Sequence, residues 1–218
     1  MKTLLGAVTV LLSGPLLLAV TVAALIAPLV PAPPSAGPRP GTAVDDIPPG
    51  LLPLYAAAAD RCPGLSWAVV AAVAKVESDH ARFNGATLDA NGDLDPPIIG
   101  IPLDGTNGTQ TIADTDHGRW DADTVWDRAV GPFQFIPTTW RAYGVDGNAD
   151  GITDPHNFHD AVHAAATYLC ANGAARPDLL RDAILAYNHA DWYADQVLAT
   201  AARYARATNK TTTNARRH

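Results

Sequence analysis

A strongly apolar segment, residues 65–78, has the period of a buried α-helix and contains the single glutamate among 22 acidic residues. Its apolar side chains fall on one helical stripe, at Leu65, Val69, Ala72, Val73 and Val76. Glu77 lies one turn above Val73, at the border of that stripe. A carboxyl held against apolar surface keeps its proton near neutral pH, as a general acid must. On this segment alone, a solvated glutamate near a helix end is the alternative.

The other periodic segments of the chain are also helical, and no strand-like alternation of useful length is present. The sequence therefore predicts an all-α domain. Residues 79–130 break the pattern, because Gly, Pro, Asn and Asp dominate them. Trp120 and Trp126 fall within this stretch and predict a folded flap rather than a disordered loop. The predicted helices cover residues 51–60, 65–78, a short run from Pro137, 157–171 with Asn157 as N-cap, 177–187 and 191–206.

The N-terminal part of the chain predicts export from the cytosol. Residues 4–30 are almost wholly apolar and long enough to span a bilayer, so residues 1–30 form either a membrane anchor or a secretory signal. Residues 31–48 are a Pro-rich linker that should be extended and semi-rigid. The domain is predicted at 49–206, and residues 207–218 form a polar tail predicted to be disordered.

The cysteine count and the net charge bear on the presence of a disulfide and on the kind of partner that the protein binds. The two cysteines, Cys62 and Cys170, favour one disulfide in an exported chain, with two free buried thiols as the alternative. The formal net charge is −7 and no basic stripe is present, which argues against nucleic acid as a partner.

Three separated motifs carry a resemblance to a known family. They are Ala-Lys-Val-Glu-Ser at residues 74–78, Gly-Pro-Phe-Gln within residues 129–140, and Ala-Tyr-Asn within residues 186–194. In order and spacing they resemble the lytic transglycosylases, in the branch related to membrane-bound lytic transglycosylase B. The resemblance covers residues 65–204 and implies a lysozyme-like helical fold that cleaves the glycan strands of peptidoglycan. With the N-terminal segment, it implies a domain in the cell envelope, anchored on the outer side of the cytoplasmic membrane or secreted.

The resemblance also implies roles for individual residues. Glu77 matches the single catalytic acid of the family, and Ser78 follows it as a residue that holds the site. Gln134 matches the glutamine that contacts the N-acetyl group of the sugar. Tyr187 and Asn188 match the pair that lines the cleft near the acid. Read without the family, Tyr187 is a core aromatic and Gln134 a turn residue.

A single carboxyl implies a particular reaction, because most glycosidases place two around the scissile bond. Asp79 points to a different side of a continuing helix and cannot be the partner of Glu77. The C6 hydroxyl of N-acetylmuramic acid then serves as nucleophile, forming a 1,6-anhydro sugar without any catalytic cofactor. The alternatives are a second carboxylate from the flap, a hydrolytic muramidase, and a non-catalytic peptidoglycan-binding module.

A second loop, residues 146–157, has the EF-hand pattern of oxygen ligands with glycine at the sixth position. Its twelfth position is Asn157 instead of glutamate. The related transglycosylases close a similar loop with a carboxylate three residues later, which is Asp160 in this chain. The resemblance thus implies a structural Ca²⁺ bound by Asp146, Asn148, Asp150, the Ile152 carbonyl and Asp160. A set of Asx turns without metal is the alternative.

Overall fold

A computed structural model describes the backbone of residues 44–215 and the side chains of residues 44–207. This part of the chain is rich in helix, which confirms the predicted all-α class. The helices are α1 (Leu51–Asp60), α2 (Trp67–Ser78), α3 (Pro137–Tyr143), α4 (Phe158–Ala171), α5 (Leu180–Tyr187) and α6 (Asp191–Ala215).

Local signals explain where most of these helices begin. The Ser66 hydroxyl accepts a hydrogen bond from the Ala68 N–H at 3.3 Å and caps α2. Asn157 caps α4 as predicted, since its Oδ1 accepts from the His159 N–H at 2.9 Å. Pro137 occupies the first turn of α3, where its missing N–H costs nothing.

The C-terminal helix is longer than the sequence analysis predicted. The predicted end was near Arg206, with a disordered tail from Ala207, whereas α6 continues to Ala215. No glycine or proline interrupts residues 207–215. Each added residue therefore gains one backbone hydrogen bond at little cost, and the helix propagates.

The core is built around α2, which is apolar over nearly its whole circumference. Residues 68–74 are all less than 5% exposed, and the helix contacts α1, α4 and α6. A helix that is apolar all round must be buried on every side. The predicted disulfide is present between Cys62 and Cys170, with 6.0 Å between their Cα atoms, and it links the end of α1 to α4.

The long segment, residues 79–130, contains four short strands that the sequence did not predict. They are β1 (Thr87–Leu88), β2 (Leu94–Asp95), β3 (Ile99–Pro102) and β4 (Arg128–Val130), paired as two antiparallel sheets, β1 with β2 and β3 with β4. Strands of two to four residues are too short to give a period in the sequence. The Trp120 side chain packs against the core. The role of this segment as a flap over a substrate stays a prediction.

The N-terminal boundary of the folded domain lies earlier than the predicted position near Pro49. Ile47 is 8% exposed and belongs to the core. The Asp46 carboxylate lies 3.3 Å from Lys75 Nζ and 3.2 Å from the Arg203 guanidinium. The last residues of the predicted linker are thus part of the domain.

The predicted anchor or signal, residues 1–30, lies outside the described residues, as does most of the linker. Within the described part of the chain, no helix combines the length and apolar character needed to cross a bilayer.

Candidate active site

Glu77 is buried at the C-terminal end of α2, as the apolar stripe predicted. Glu77 is 3% exposed, and its Oε1 accepts a hydrogen bond from the Tyr193 hydroxyl at 2.5 Å. Burial raises the pKa of Glu77 to about 8, and the Tyr193 bond opposes that rise. The carboxyl therefore holds its proton at neutral pH and has a single donor ready to stabilise its ionised form.

The chain leaves α2 through an unusual backbone turn directly after the acid. Asp79, His80 and Ala81 all have positive φ angles, of 53°, 58° and 66°. Each such non-glycine residue costs energy that the surrounding structure must offset. The His80 ring supplies part of this offset, because it lies between the hydroxyls of Tyr55 at 2.7 Å and Tyr204 at 2.9 Å. These contacts fix the end of the helix that carries Glu77.

Asp79 is held away from Glu77 by ion pairs rather than by the continuing helix that the sequence analysis assumed, because α2 ends at Ser78 and Asp79 has a left-handed backbone conformation. Its carboxylate pairs with Lys75 and with Arg82. Partial burial raises the pKa of Asp79, but hydrogen bonds from these two cations outweigh it and leave the pKa below its usual value. Asp79 is thus a surface carboxylate that is ionised at neutral pH.

The Gly-Pro-Phe-Gln motif forms a tight turn, residues 131–134, that is held from two sides, by the acid-bearing helix α2 and by α5. The Ser78 hydroxyl donates to the Pro132 carbonyl at 2.7 Å. The Tyr187 hydroxyl donates to the Phe133 carbonyl at 2.8 Å. The structure therefore brings together all three predicted motifs, and both hydroxyls hold the turn in place.

Gln134 and Asn188 are the predicted residues with polar groups left to contact a ligand. Gln134 is 2% exposed and has a positive φ of 49°. Its Nε2 donates to the Gly131 carbonyl at 2.9 Å. Asn188 is 1% exposed, and its Oδ1 accepts from the Ala190 N–H at 3.2 Å. Its buried Nδ2 has no hydrogen-bond partner, and a donor of this kind marks a place where a ligand oxygen could bind.

Tyr193 is a site residue that the sequence analysis missed. It is 1% exposed, stacks on Tyr187 with ring centroids 6.4 Å apart, and is the hydrogen-bond donor to Glu77. Burial, together with the nearby Glu77 carboxyl, raises the pKa of Tyr193 far above its usual value, so the phenol stays a donor. The only sequence signal was an aromatic residue in the first turn of the last helix, which does not reveal a contact 116 residues away.

The predicted metal loop folds around its own carboxylates. The Asp146 carboxylate accepts from the Gly151 N–H at 2.9 Å, and the Asp150 carboxylate accepts from the Ile152 N–H at 2.7 Å. Asp160, which is 1% exposed, accepts from the Gly147 N–H at 2.7 Å. Burial raises the pKa of Asp160, and the charges of Asp146 and Asp150 raise it further. The charges of these carboxylates repel one another, and Asx-type bonds of this kind form with or without a cation.

Another acidic cluster, in the long segment, was not anticipated. One carboxylate oxygen from each of Asp114, Asp116 and Asp127 lies within 4.8 Å of the others. Asp127 is fully buried, and both of its oxygens accept hydrogen bonds from Thr115. The cluster has the ligand types of a cation site, but hydrogen bonds within the segment already account for Asp127.

Comparison with known proteins supports the family that the motifs predict. Residues 110–178 match the family model described as "Transglycosylase SLT domain". This part of the chain is therefore similar to a transglycosylase SLT domain. The matched range includes Gln134 and the predicted metal loop, whereas Glu77 and Tyr187 lie outside it. The match confirms the predicted resemblance and supports a lytic transglycosylase acting on peptidoglycan as the general function. The branch related to membrane-bound lytic transglycosylase B stays a prediction.

The backbone is similar to that of a solved structure, the Escherichia coli lytic transglycosylase Slt35 in complex with bulgecin A. The superposition covers 76% of this chain and 77% of that one, with 16% sequence identity and a TM-score of 0.46. At these values the superposition alone establishes no shared mechanism. No curated protein matches this sequence.

Proposed function

We propose that the SLT domain of this protein is a lytic transglycosylase with Glu77 as its only catalytic carboxyl. It cleaves the β-1,4 bond between N-acetylmuramic acid and N-acetylglucosamine in peptidoglycan. The observation that carries this proposal is the burial of Glu77 against apolar surface with the Tyr193 hydroxyl as its hydrogen-bond donor, an environment that raises the pKa of Glu77 to about 8. Among the described residues, no charged group contributes to that pKa.

The reaction needs one proton to move twice. Glu77 first donates its proton to the bridging oxygen, which leaves with N-acetylglucosamine as the bond to C1 of N-acetylmuramic acid breaks. The C6 hydroxyl of the same sugar then bonds to C1, and its proton passes to the Glu77 carboxylate. Attack from within the sugar replaces the water and second carboxyl of an ordinary hydrolase. The Tyr193 hydroxyl stabilises the carboxylate between the two steps.

The other site residues are proposed to bind and orient the glycan. Gln134 and Asn188 contribute polar groups toward the sugar, Gln134 at an N-acetyl group. Ser78 and Tyr187 act indirectly, because their hydroxyls are engaged by the carbonyls of the turn that carries Gln134.

The experiment that tests the catalytic proposal is digestion of purified peptidoglycan by wild type and by Glu77→Gln. Wild type should release 1,6-anhydro products, and Glu77→Gln should reduce their release by at least about a thousandfold. Asp79→Asn is the matched control, because it changes the adjacent carboxyl and asparagine tolerates a positive φ. Asp79→Asn should keep its activity.

Product masses separate the alternatives. Products heavier by one water than the anhydro forms would identify a muramidase. A wild type that releases nothing, yet sediments with peptidoglycan, would identify a binding module. Full activity of Glu77→Gln would remove this residue from the mechanism.

We also propose a structural Ca²⁺ in the loop at residues 146–157, held by Asp146, Asn148, Asp150, the Ile152 carbonyl and Asp160. The loop packs closely against the turn at residues 131–134. A Cβ on Gly131 would lie 1.9 Å from the Pro155 carbonyl oxygen. This close approach supports a bracing role for the ion. Ca²⁺ at a hundred times its Kd should stabilise the folded protein by about 2.7 kcal/mol relative to chelator. Asp150→Asn should reduce that gain, and equal melting temperatures with Ca²⁺ and with chelator would contradict the site.

The proposed setting is the bacterial cell envelope, with the domain outside the cytoplasmic membrane. The disulfide between Cys62 and Cys170 supports an oxidising location. The choice between an anchored and a secreted form is tested by cell fractionation, in which an anchored form should sediment with membranes.

A further inference from the structure

Strand β3 of the long segment lies against the turn that carries Gln134. β3 pairs with β4, with Ile99 opposite Val130. The Gly131 N–H then donates to the Ile98 carbonyl at 2.8 Å, so the turn continues directly from the paired strands. Gly100, in β3, is therefore brought beside a residue that follows it by more than thirty positions.

Gly100 leaves space that a side chain would take from the Gln134 carboxamide. A Cβ at this position would lie 3.2 Å from Gln134 Oε1, 3.3 Å from Ala129 Cβ and 3.4 Å from the Ala129 carbonyl oxygen. The first two separations are tighter than ordinary van der Waals contact, so the neighbouring atoms would have to shift by a few tenths of an ångström. Gly131 differs, since its φ of +74° itself favours glycine. Gly100 is not among the glycines with positive φ, so its backbone conformation would accept any residue and only the space requires glycine.

The nitrogen of the Gln134 carboxamide is already held by a hydrogen bond. Nε2 donates to the Gly131 carbonyl, which also accepts from the Gln134 backbone N–H at 3.2 Å. With Nε2 engaged, Oε1 is the atom that remains to accept a hydrogen bond from a ligand. Oε1 is also the atom that a Cβ on Gly100 would displace.

We propose that Gly100 is a positioning residue of the substrate site, which keeps Gln134 Oε1 where it accepts the N–H of an N-acetyl group on the glycan. This inference rests on the proposed function. It assigns to the long segment a part in substrate recognition that acts through Gln134. A methyl group at position 100 turns the carboxamide and weakens binding of acetylated sugar, without touching Glu77.

The test measures binding in the Glu77→Gln background, where no turnover occurs. The probes are the β-1,4-linked tetramer of N-acetylglucosamine and the same tetramer without its acetyl groups. Adding Gly100→Ala should weaken binding of the acetylated tetramer about tenfold, the equivalent of one hydrogen bond. Binding of the deacetylated tetramer should stay the same. Equal losses for the two tetramers, or no loss for either, would overturn the proposal.

A second comparison measures kcat/KM for peptidoglycan in a double-mutant cycle. Gly100→Ala should lower kcat/KM in wild type, mainly through KM, and should have no further effect in a Gln134→Ala background. An undiminished effect in that background would show a general structural role and overturn the proposal. If Gly100→Ala folds poorly, Gly100→Ala with Ala129→Gly removes the Ala129 Cβ contact and keeps the contact with Gln134. Loss of anhydro products from wild type would instead refute the proposed function, and the tetramer comparison would still decide the role of Gly100.

Discussion

The helical body and the long segment at residues 79–130 each bury a carboxyl group whose pKa burial raises, but they satisfy its oxygens differently. In the body, Glu77 receives one hydrogen bond and burial raises its pKa to about 8. In the long segment, both oxygens of Asp127 accept hydrogen bonds from Thr115, at 2.8 Å each. The Asp127 side chain thereby supplies hydrogen-bond acceptors, which backbone carbonyls would supply if the strands were longer. The Glu77 carboxyl accepts no backbone hydrogen bond from the part of the chain that the structure describes, so its burial weakens the fold. The proposed catalytic role of Glu77 explains its presence.

The largest expected effect on stability comes from removing the buried acid of the body. The folded-state pKa of Glu77, about 8, lies above its ordinary value of 4.5. The folded protein therefore holds a proton that the unfolded chain releases, and stability falls as pH rises from 4.5 to about 8. Glu77→Gln removes this dependence and should stabilise the protein by about 3 kcal/mol at pH 7.

Urea unfolding of the two proteins at pH 4.5 and pH 7.5 measures this difference. The gap between wild type and Glu77→Gln should be small at the lower pH and open at the higher one. A gap that does not change with pH would mean that Glu77 is ionised in the folded protein, and the contrast with Asp127 would be lost.

A smaller effect of opposite sign is expected in the long segment. Asp127→Ala leaves the N–H and hydroxyl of the half-buried Thr115 without their acceptor and should destabilise the protein by about 2 kcal/mol. Asp104→Ala is the matched control. The Asp104 carboxylate accepts from the N–H and hydroxyl of Thr106 at 2.8 and 2.7 Å, but at the surface.

Water replaces the acceptor lost in Asp104→Ala, so that variant should lose well under 1 kcal/mol, roughly the value of an exposed polar contact. Thermal melting of both variants gives the comparison. Equal losses would show that burial does not distinguish the two sites.

The smallest expected effect concerns the single hydrogen bond to the acid. Because the Tyr193 bond lowers the pKa of Glu77, Tyr193→Phe should raise that pKa above its value of about 8. A general acid works only while protonated, so the alkaline limb of kcat/KM should move to higher pH. The less stable carboxylate should also lower the rate at pH 6, by about tenfold for one hydrogen bond.

Tyr204→Phe provides the control for this pH profile. It removes a hydroxyl that bonds His80 and Asp46 instead of Glu77. Its alkaline limb should coincide with that of wild type. A shift of equal size in both variants would mean that the two tyrosines act through the fold as a whole.

Much of the helical architecture could be predicted from local signals. The apolar stripe ending at Glu77, the Asn157 cap and the proline that opens α3 each depend on residues within about one helical turn. The strands escaped prediction because they are too short to show a period, and the partner of β3 is also distant in sequence. The end of α6 was wrong because a polar composition was taken as disorder, while nothing in residues 207–215 stops a helix.

The residues of the candidate site also fall into two groups, those that the sequence predicted and those that it did not. Family motifs pointed to Ser78, Gln134 and Tyr187, and the structure brings these side chains into contact with one turn or places them in it. They did not point to Tyr193 or Gly100. Tyr193 contacts Glu77 and Gly100 borders Gln134, and both neighbours are far away in the sequence. A tyrosine or a glycine by itself does not indicate such a contact.

The sequence by itself determined the helical class, the pairing available to two cysteines and the presence of one glutamate at the end of an apolar helix. These follow from composition and from periods of a few residues. Only the tertiary structure decided that Glu77 has a tyrosine as its hydrogen-bond donor, and that a glycine of β3 borders Gln134. Such contacts result from how helices and strands pack together, and packing joins residues whose separation along the chain leaves no repeating pattern to read.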